Sequence, residues 1–312
     1  MMNRSLMQRF HSLSLPMKMR LASLILCPLI CVLHASETIA DTTVQSRDGI
    51  KAAIKTQEAR KLFDVETNFD MRLPAGFTSA FLVQQLAPGQ DPRRVVLSAA
   101  KAWPLRPNSY VAMVCLTNPA GAAGATQDGP RHCVGDDSIW FGVFETTSGG
   151  APMLVARTDG PVATPTDWSR TDIDQPDAVN ASDSKDGALS MPTSWDQFDL
   201  APYQIRSGEY AFGVRASWYE SGFADGGSGF EALYLFQVEG KSLRVVFARP
   251  MSDYEIFVSE SNGTHTYDVG DTSNSLVILP AQTDGFHDIQ LRQQAGKWLR
   301  TFRWSSARRR YE

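Results

Sequence analysis

The six residues Leu233-Tyr-Leu-Phe-Gln-Val constrain this chain most, because Leu233, Leu235 and Gln237 alternate with Tyr234, Phe236 and Val238. Alternation with period two marks a strand, and this strand is apolar on both faces. It lies at the centre of a longer stretch, 195–250, that reads as short strands separated by a Gly-rich loop and a tight turn. Tyr210, Phe212 and Val214 alternate with small or polar residues before the loop, and Leu243, Val245 and Phe247 line one face of the strand after the turn. The turn falls at Glu239-Gly240-Lys241, since Gly tolerates the positive φ that a hairpin demands.

Weaker copies of this plan flank it. Fifty-six residues on, Ile289, Leu291, Gln293 and Gly296-Lys-Trp-Leu-Arg300 match Leu233, Leu235, Gln237 and Gly240-Lys-Ser-Leu-Arg244, and a strand continues as Thr301-Phe-Arg-Trp304. Upstream, Trp103-Pro-Leu-Arg-Pro107 parallels Phe198-Asp-Leu-Ala-Pro202, and Tyr110–Leu116 parallels Tyr210–Ala216 at an offset of 100 residues. Ile139–Glu145 and Met153–Arg157 complete that first unit. An isolated meander cannot bury its own apolar face, so such units must stack or close on one another. The expectation is an all-β, mainly antiparallel protein of repeated meanders, propeller-like or sandwich in arrangement, with a short mixed segment before them. In that segment, Ile50–Phe63 is compatible with a short helix, and 77–86 and 94–99 with two strands or a strand and a short helix.

The 312 residues provide ample core for one large domain or two small ones. Residues 1–40 have the form of a secretory signal: Lys18 and Arg20 precede an apolar run from Leu21 to Leu33, too short to span a bilayer, followed by Thr38-Ile-Ala40. Without them the chain carries 26 basic and 33 acidic residues, a net charge of −7. That sign disfavours nucleic acid and anionic membrane and suits a basic partner. The expected layout is a signal at 1–40, a lead-in and first meander at 41–160, a polar connector at 161–194 and further meanders at 195–312. The connector is rich in Pro, Asp, Ser, Thr and Asn and has no apolar period.

Two cysteines remain after the leader, Cys115 and Cys133, flanking 17 residues at the ends of two neighbouring strands. An even count in an exported chain implies a disulfide and a periplasmic or secreted location. The disulfide reading displaces a Cys133–His132 nucleophile, because an oxidised cysteine cannot attack. Ser98-Ala-Ala-Lys101 has the S-x-x-K spacing but lacks a K-T-G partner. The three histidines beyond the leader, His132, His265 and His287, fit no metal-ligand spacing, and no cofactor motif is present. Asp136-Asp137, Asp225, Asp284 and Asp288 sit at turns, where solvation explains them as well as calcium would. Trp218, Tyr219 and Phe223 surround the central Gly-rich loop with Asp225. Exposed, they would form a binding surface; the alternative is that they pack beneath the loop.

Phe198-Asp-Leu-Ala-Pro-Tyr, Tyr210-Ala-Phe-Gly-Val-Arg, Gly226-Gly-Ser-Gly-Phe-Glu-Ala-Leu-Tyr-Leu-Phe, Thr283-Asp-Gly-Phe-His-Asp-Ile, and Phe302-Arg-Trp with Tyr311 span 195–311. Together they resemble a diffuse group of exported, β-rich bacterial proteins. Some similar periplasmic proteins with propeller-like meanders are immunity proteins or inhibitors that block the cleft of a cell-wall hydrolase with a protruding loop. The resemblance implies a non-enzymatic binding protein with a protein partner; the net charge suits a basic secreted enzyme, and the loop residues Trp218, Tyr219, Phe223 and Asp225 are the ones expected to make the contact. Two alternatives stand beside it: an envelope polysaccharide or peptidoglycan hydrolase using paired carboxylates, and a structural envelope component.

Overall fold

The computed structural model describes residue 69 and residues 72–118, 133–147, 150–180, 188–221, 227–261 and 264–312. The expected signal at 1–40 and the segment Ile50–Phe63 lie outside them. Helix α1 (Ser79–Leu86) is followed by β1 (Val95–Ala102), β2 (Ser109–Leu116), β3 (Cys133–Val134), β4 (Ser138–Glu145) and β5 (Met153–Arg157). A mostly irregular segment then carries β6 (Thr166–Asp167), the one-turn helix α2 (Asp177–Asn180) and β7 (Leu189–Ser190). The long strands β8 (Ser194–Arg206), β9 (Glu209–Ser221), β10 (Gly227–Glu239), β11 (Ser242–Ser261) and β12 (Thr264–Thr283) come next. They lead to β13 (Phe286–Gln293), β14 (Leu299–Phe302), β15 (Trp304–Ser305) and β16 (Arg310–Tyr311).

The protein is all-β, and its main sheet is mixed and nearly closed into a barrel. The strand order is β1-β2-β4-β5-β11-β10-β9-β8-β3, with β12, β13 and β14 continuing from β11. The chain path itself enforces the curl. β3 pairs with β8 at the far edge, Cys133 opposite Trp195, yet the next strand, β4, lies beside β2. A disulfide between Cys115 of β2 and Cys133 of β3, with Cα atoms 5.8 Å apart, fastens the seam. Closing a loop of this size contributes roughly 3 kcal/mol by restricting the unfolded chain.

Three cores follow from the two faces of this sheet. Inside the barrel, Phe141, Phe198, Phe212 and Phe236 pack with Trp195 and Tyr234, the Phe212 and Phe236 rings stacking at 5.2 Å. These rings fill the interior, as in other small barrels. Outside β1, β2 and β4, α1 lays Leu82, Val83 and Leu86 on Ala100, Ala112, Val114 and Phe144. Thr78 caps α1, its Oγ1 accepting the Phe81 N–H at 3.1 Å. A Cβ at Gly142 would stand 2.3 Å from the Leu86 side chain, so the helix sits this close only because β4 has a glycine there. Outside β8–β11, the β13–β14 hairpin and the final turn cover Leu233, Leu235 and Phe247 with Ile289, Leu291, Phe302 and Trp304. The Leu233/Leu235 strand is apolar on both faces because it is covered on both.

The meanders are not arranged as propeller blades. Val111 and Met113 of β2 point into the barrel, whereas at the 100-residue offset Ala211 faces out and Phe212 and Val214 face in. The likeness therefore matches opposite faces of the sheet, a one-residue slip in register. The third strands of the two units, β5 and β11, meet in parallel at Arg157 and Ser242. The 56-residue copy does keep its faces: Leu233 and Leu235 pack in the same cluster as Ile289 and Leu291, so sandwich-like layering exists locally. Ser98 lies in β1 and faces Ser79 Oγ at 2.8 Å, which removes the helical S-x-x-K reading.

The described residues of the segment expected as a polar connector, 161–180 and 188–194, form a strap across one end of the barrel. Trp168, Ile173 and Val179 are buried there, and Thr166 Oγ1 lies 2.7 Å from the Tyr234 hydroxyl. Asp167 pairs with Arg249 at 2.7 Å. Its anchors are single residues at irregular intervals, so no period announces them.

Candidate functional site

The strapped end of the barrel gathers the unusual chemistry. Three neighbouring rows of paired residues cross β9, β10, β11 and β12 there. On the inner face, Trp218, Phe230, Asp253 and Thr272 form one row, and Glu220, Ser228, Glu255 and Gly270 the next. Between them, on the outer face, run Tyr219, Gly229, Tyr254 and Asp271. The strap brings Asp172, Asp174 and Asp177 against the inner rows. Asn274 of β12 donates from Nδ2 to Asp172 Oδ1 at 2.8 Å, and Ser228 Oγ donates to Glu220 Oε2 at 3.3 Å.

Acid side chains therefore meet acid side chains. Burial, reinforced by Asp174, Glu255 and Asp172, pushes the Asp253 carboxyl up to about 7. Burial, with Asp174, Glu220 and Asp177, also raises Glu255. Asp253 is 6 % exposed and Asn274 5 %. Asp172 Oδ2, Asp253 Oδ1 and Asn274 Oδ1 are buried oxygens with no hydrogen-bond partner. Such orphans are rare in folded proteins and call for an explanation.

A pH dependence follows. Native Asp253 holds its proton well above the ordinary carboxylate range, so its contribution to stability is complete below about pH 4 and is lost as pH rises through about 7. Asp253→Asn removes this titration. In metal-free buffer, the melting temperature of the variant minus that of wild type should climb between about pH 4 and pH 7 and level off above it. A difference that stays flat across that range would contradict the assignment.

Beyond this end, β11 and β12 leave the sheet. The last residue of β11 paired with β10 is Ile256, opposite Gly227, but β11 and β12 go on pairing with each other from Phe257–Asp268 out to Ser261–Thr264. The result is a projecting two-stranded ribbon. Phe257 on it is 58 % exposed, and Tyr219 at its base is 67 % exposed. A Cβ at Gly229 would overlap the Tyr254 ring at 2.2 Å, so the bare glycine is what lets that ring lie against β10.

The four residues expected to bind a partner separate here. Trp218 is in the core: its ring meets Trp168 at 5.0 Å, and its Nε1 donates to Ser190 Oγ at 3.2 Å. It is unavailable for contact. Tyr219 is available, as its alternating position requires. Phe223 and Asp225 lie outside the described residues, though the stems of their loop end at Ser221 and Gly227, beside the ribbon. The ribbon escaped the sequence reading because its main apolar signal, Ile256-Phe-Val258, is one short run among polar residues with no sustained alternation.

Other candidates resolve into structure. Asp137 accepts the Val134 N–H, Asp284 accepts Ser306 Oγ, and Asp288 accepts Thr283 Oγ1 and lies 3.7 Å from Arg303. His287 Nδ1 contacts the Leu279 carbonyl at 2.9 Å. Among the described residues, one trio of metal-ligating side chains brings its donor atoms within 4.8 Å, Cys115, Cys133 and Asp137, and its two sulfurs are bonded to each other. A cleft of about 440 Å³ over β8–β12 contains Arg215, held by Asp199 at 2.7 Å and Glu231 at 2.8 Å. Another of about 470 Å³ lies beside Phe286 and Trp304, whose rings stack at 3.7 Å. No helix among the described residues is long and apolar enough to cross a membrane. Comparison with protein-family models, curated proteins and solved structures found no match.

Proposed function

We propose that this protein is an exported, non-enzymatic binding protein that presents the β11–β12 ribbon, and Tyr219 at its base, to a protein partner, as an inhibitor or immunity protein would. The observation that carries the reading is the ribbon itself. A two-stranded extension whose residues, among those described, pair only with one another, and which exposes a phenylalanine, contributes little to the core it leaves. Exposed aromatics of this kind make strong interface anchors. The acidic groups at its base, Glu220, Glu255 and Asp177, favour a partner with a basic rim, since complementary charge steers encounter. The disulfide accords with an oxidising compartment such as the periplasm.

The test is capture from an envelope extract by the purified chain, repeated with Phe257→Ser and Tyr219→Ala together. One protein should be retained by wild type and its retention should drop at least about tenfold with the double variant, with melting temperature unchanged. Equal retention by both would remove the ribbon from the reading. Asp253 supports the paired-carboxylate hydrolase as a second reading, because a carboxyl titrating near neutrality beside other acids is the composition of a general acid. Its burial under the strap weighs against substrate contact. Turnover of peptidoglycan or polysaccharide that Asp253→Asn abolishes would put the hydrolase in place of the binder.

A further inference from the structure

We infer that Asp172, Asp253 and Asn274 form a calcium site between the strap and the β11–β12 pair. Three observations converge on it. Asp253 of β11, opposite Thr272, and Asn274, two residues further along β12, share one face of the sheet, and Asn274 holds Asp172 of the strap beside them, so two carboxylates of like charge meet from separate parts of the chain. The neutral Asn274, 5 % exposed, is aimed at this group: its Nδ2 donates to Asp172 Oδ1 at 2.8 Å, while its Oδ1 has no partner. The remaining orphans, Asp172 Oδ2 and Asp253 Oδ1, are also oxygens. Three buried, unpaired oxygen acceptors beside a surplus of negative charge form a donor set for a hard cation.

The mixture of carboxylate and amide oxygens suits calcium over magnesium. Calcium accepts six to eight oxygens in irregular geometry, whereas magnesium demands a near-ideal octahedron and dehydrates reluctantly. The two carboxylates supply charge, Asn274 supplies a neutral oxygen, and water completes the shell. Asp174 and Glu255, at the edge of the same group, hold outer waters. A cation here bridges the strap to β11 and β12 at the root of the ribbon. It would therefore fix the direction in which the ribbon projects, whatever the ribbon binds.

The experiment is thermal unfolding of the full chain after chelation, titrated with calcium chloride to about 5 mM, the range of extracellular calcium modules. Wild type should gain about 2–9 °C at 5 mM, which is about five- to fiftyfold above such a dissociation constant, and the gain should keep rising with the logarithm of calcium concentration. Equilibrium dialysis with radioactive calcium should give one ion per chain. Asp172→Asn with Asp253→Asn should abolish both signals. Because this variant removes like-charge repulsion, it should fold at least as well as calcium-free wild type. Glu220→Gln, on the rim, should keep both. An unshifted melting temperature with no bound calcium overturns the site. So does a shift that the double variant retains, or one that magnesium reproduces at equal concentration. None of these outcomes depends on a partner being found.

Discussion

Replacing Trp218 by alanine is expected to cost about 3–5 kcal/mol of folding free energy. Its neighbour Tyr219, replaced in the same way, should change stability by no more than about 0.5 kcal/mol. The two residues are adjacent in sequence and belong to the same aromatic cluster. Trp218 is 2 % exposed, wedged edge-on against Trp168, while Tyr219 on the other face is 67 % exposed. Truncation at Trp218 opens a cavity under the strap and leaves the Ser190 hydroxyl without its indole donor. It also removes the surface on which Trp168 rests, so the strap should loosen with it. Denaturant unfolding of both variants, with proteolysis of the strap as a second reading, separates the two roles. A Trp218→Ala protein within about 1 kcal/mol of wild type would mean that the strap is not held as described.

The second large effect should come from Arg215→Leu, at about 3 kcal/mol. The Arg215 guanidinium joins three strands on the outer face of the barrel: Nε and Nη2 reach Asp199 Oδ2 of β8, and Nη1 reaches Glu231 Oε1 of β10. Glu231 and Asp199 raise its pKa, against burial, so the cation persists throughout the accessible pH range. Removing it leaves two carboxylates facing one another in a half-buried cleft. The loss should therefore exceed that of an exposed pair, whose median is about 0–1 kcal/mol. Adding Asp199→Asn and Glu231→Gln to Arg215→Leu should recover part of the stability, since the repulsion then disappears. If the triple variant is no more stable than the single one, the triad's charges are not what binds these strands.

Much of the architecture was legible beforehand, and the reasons are local. The strands 110–116, 139–145 and 153–157, and the hairpin at Gly240, emerged from period two and turn chemistry. The Cys115–Cys133 bridge emerged from cysteine count and spacing. Residues 79–86 were ambiguous because the segment is short and apolar, and such runs suit a helix or a buried strand equally. The Thr78 cap and the bare surface of Gly142 decide it as a helix. The strap was misread because one buried tryptophan among prolines, serines and acids has no periodicity to detect. The acidic group at the barrel end was invisible for a different cause: Asp172, Asp253 and Asn274 lie far apart in sequence, in contexts that each look like solvated turns or strand edges.

By itself the sequence determined that this chain makes strands, where they turn, and that Leu233 and Tyr234 each need an apolar partner on opposite faces. Those properties depend on backbone geometry a few residues long. Only the tertiary structure decided which faces meet. Strand pairing between distant segments, Arg157 with Ser242 and Cys133 with Trp195, turned the first meander's inward face into the second's outward one. It also sank Trp218, and it gathered carboxylates that no short segment contains. Alternation states that a side chain must point one way or the other, and long-range pairing alone assigns inside and outside.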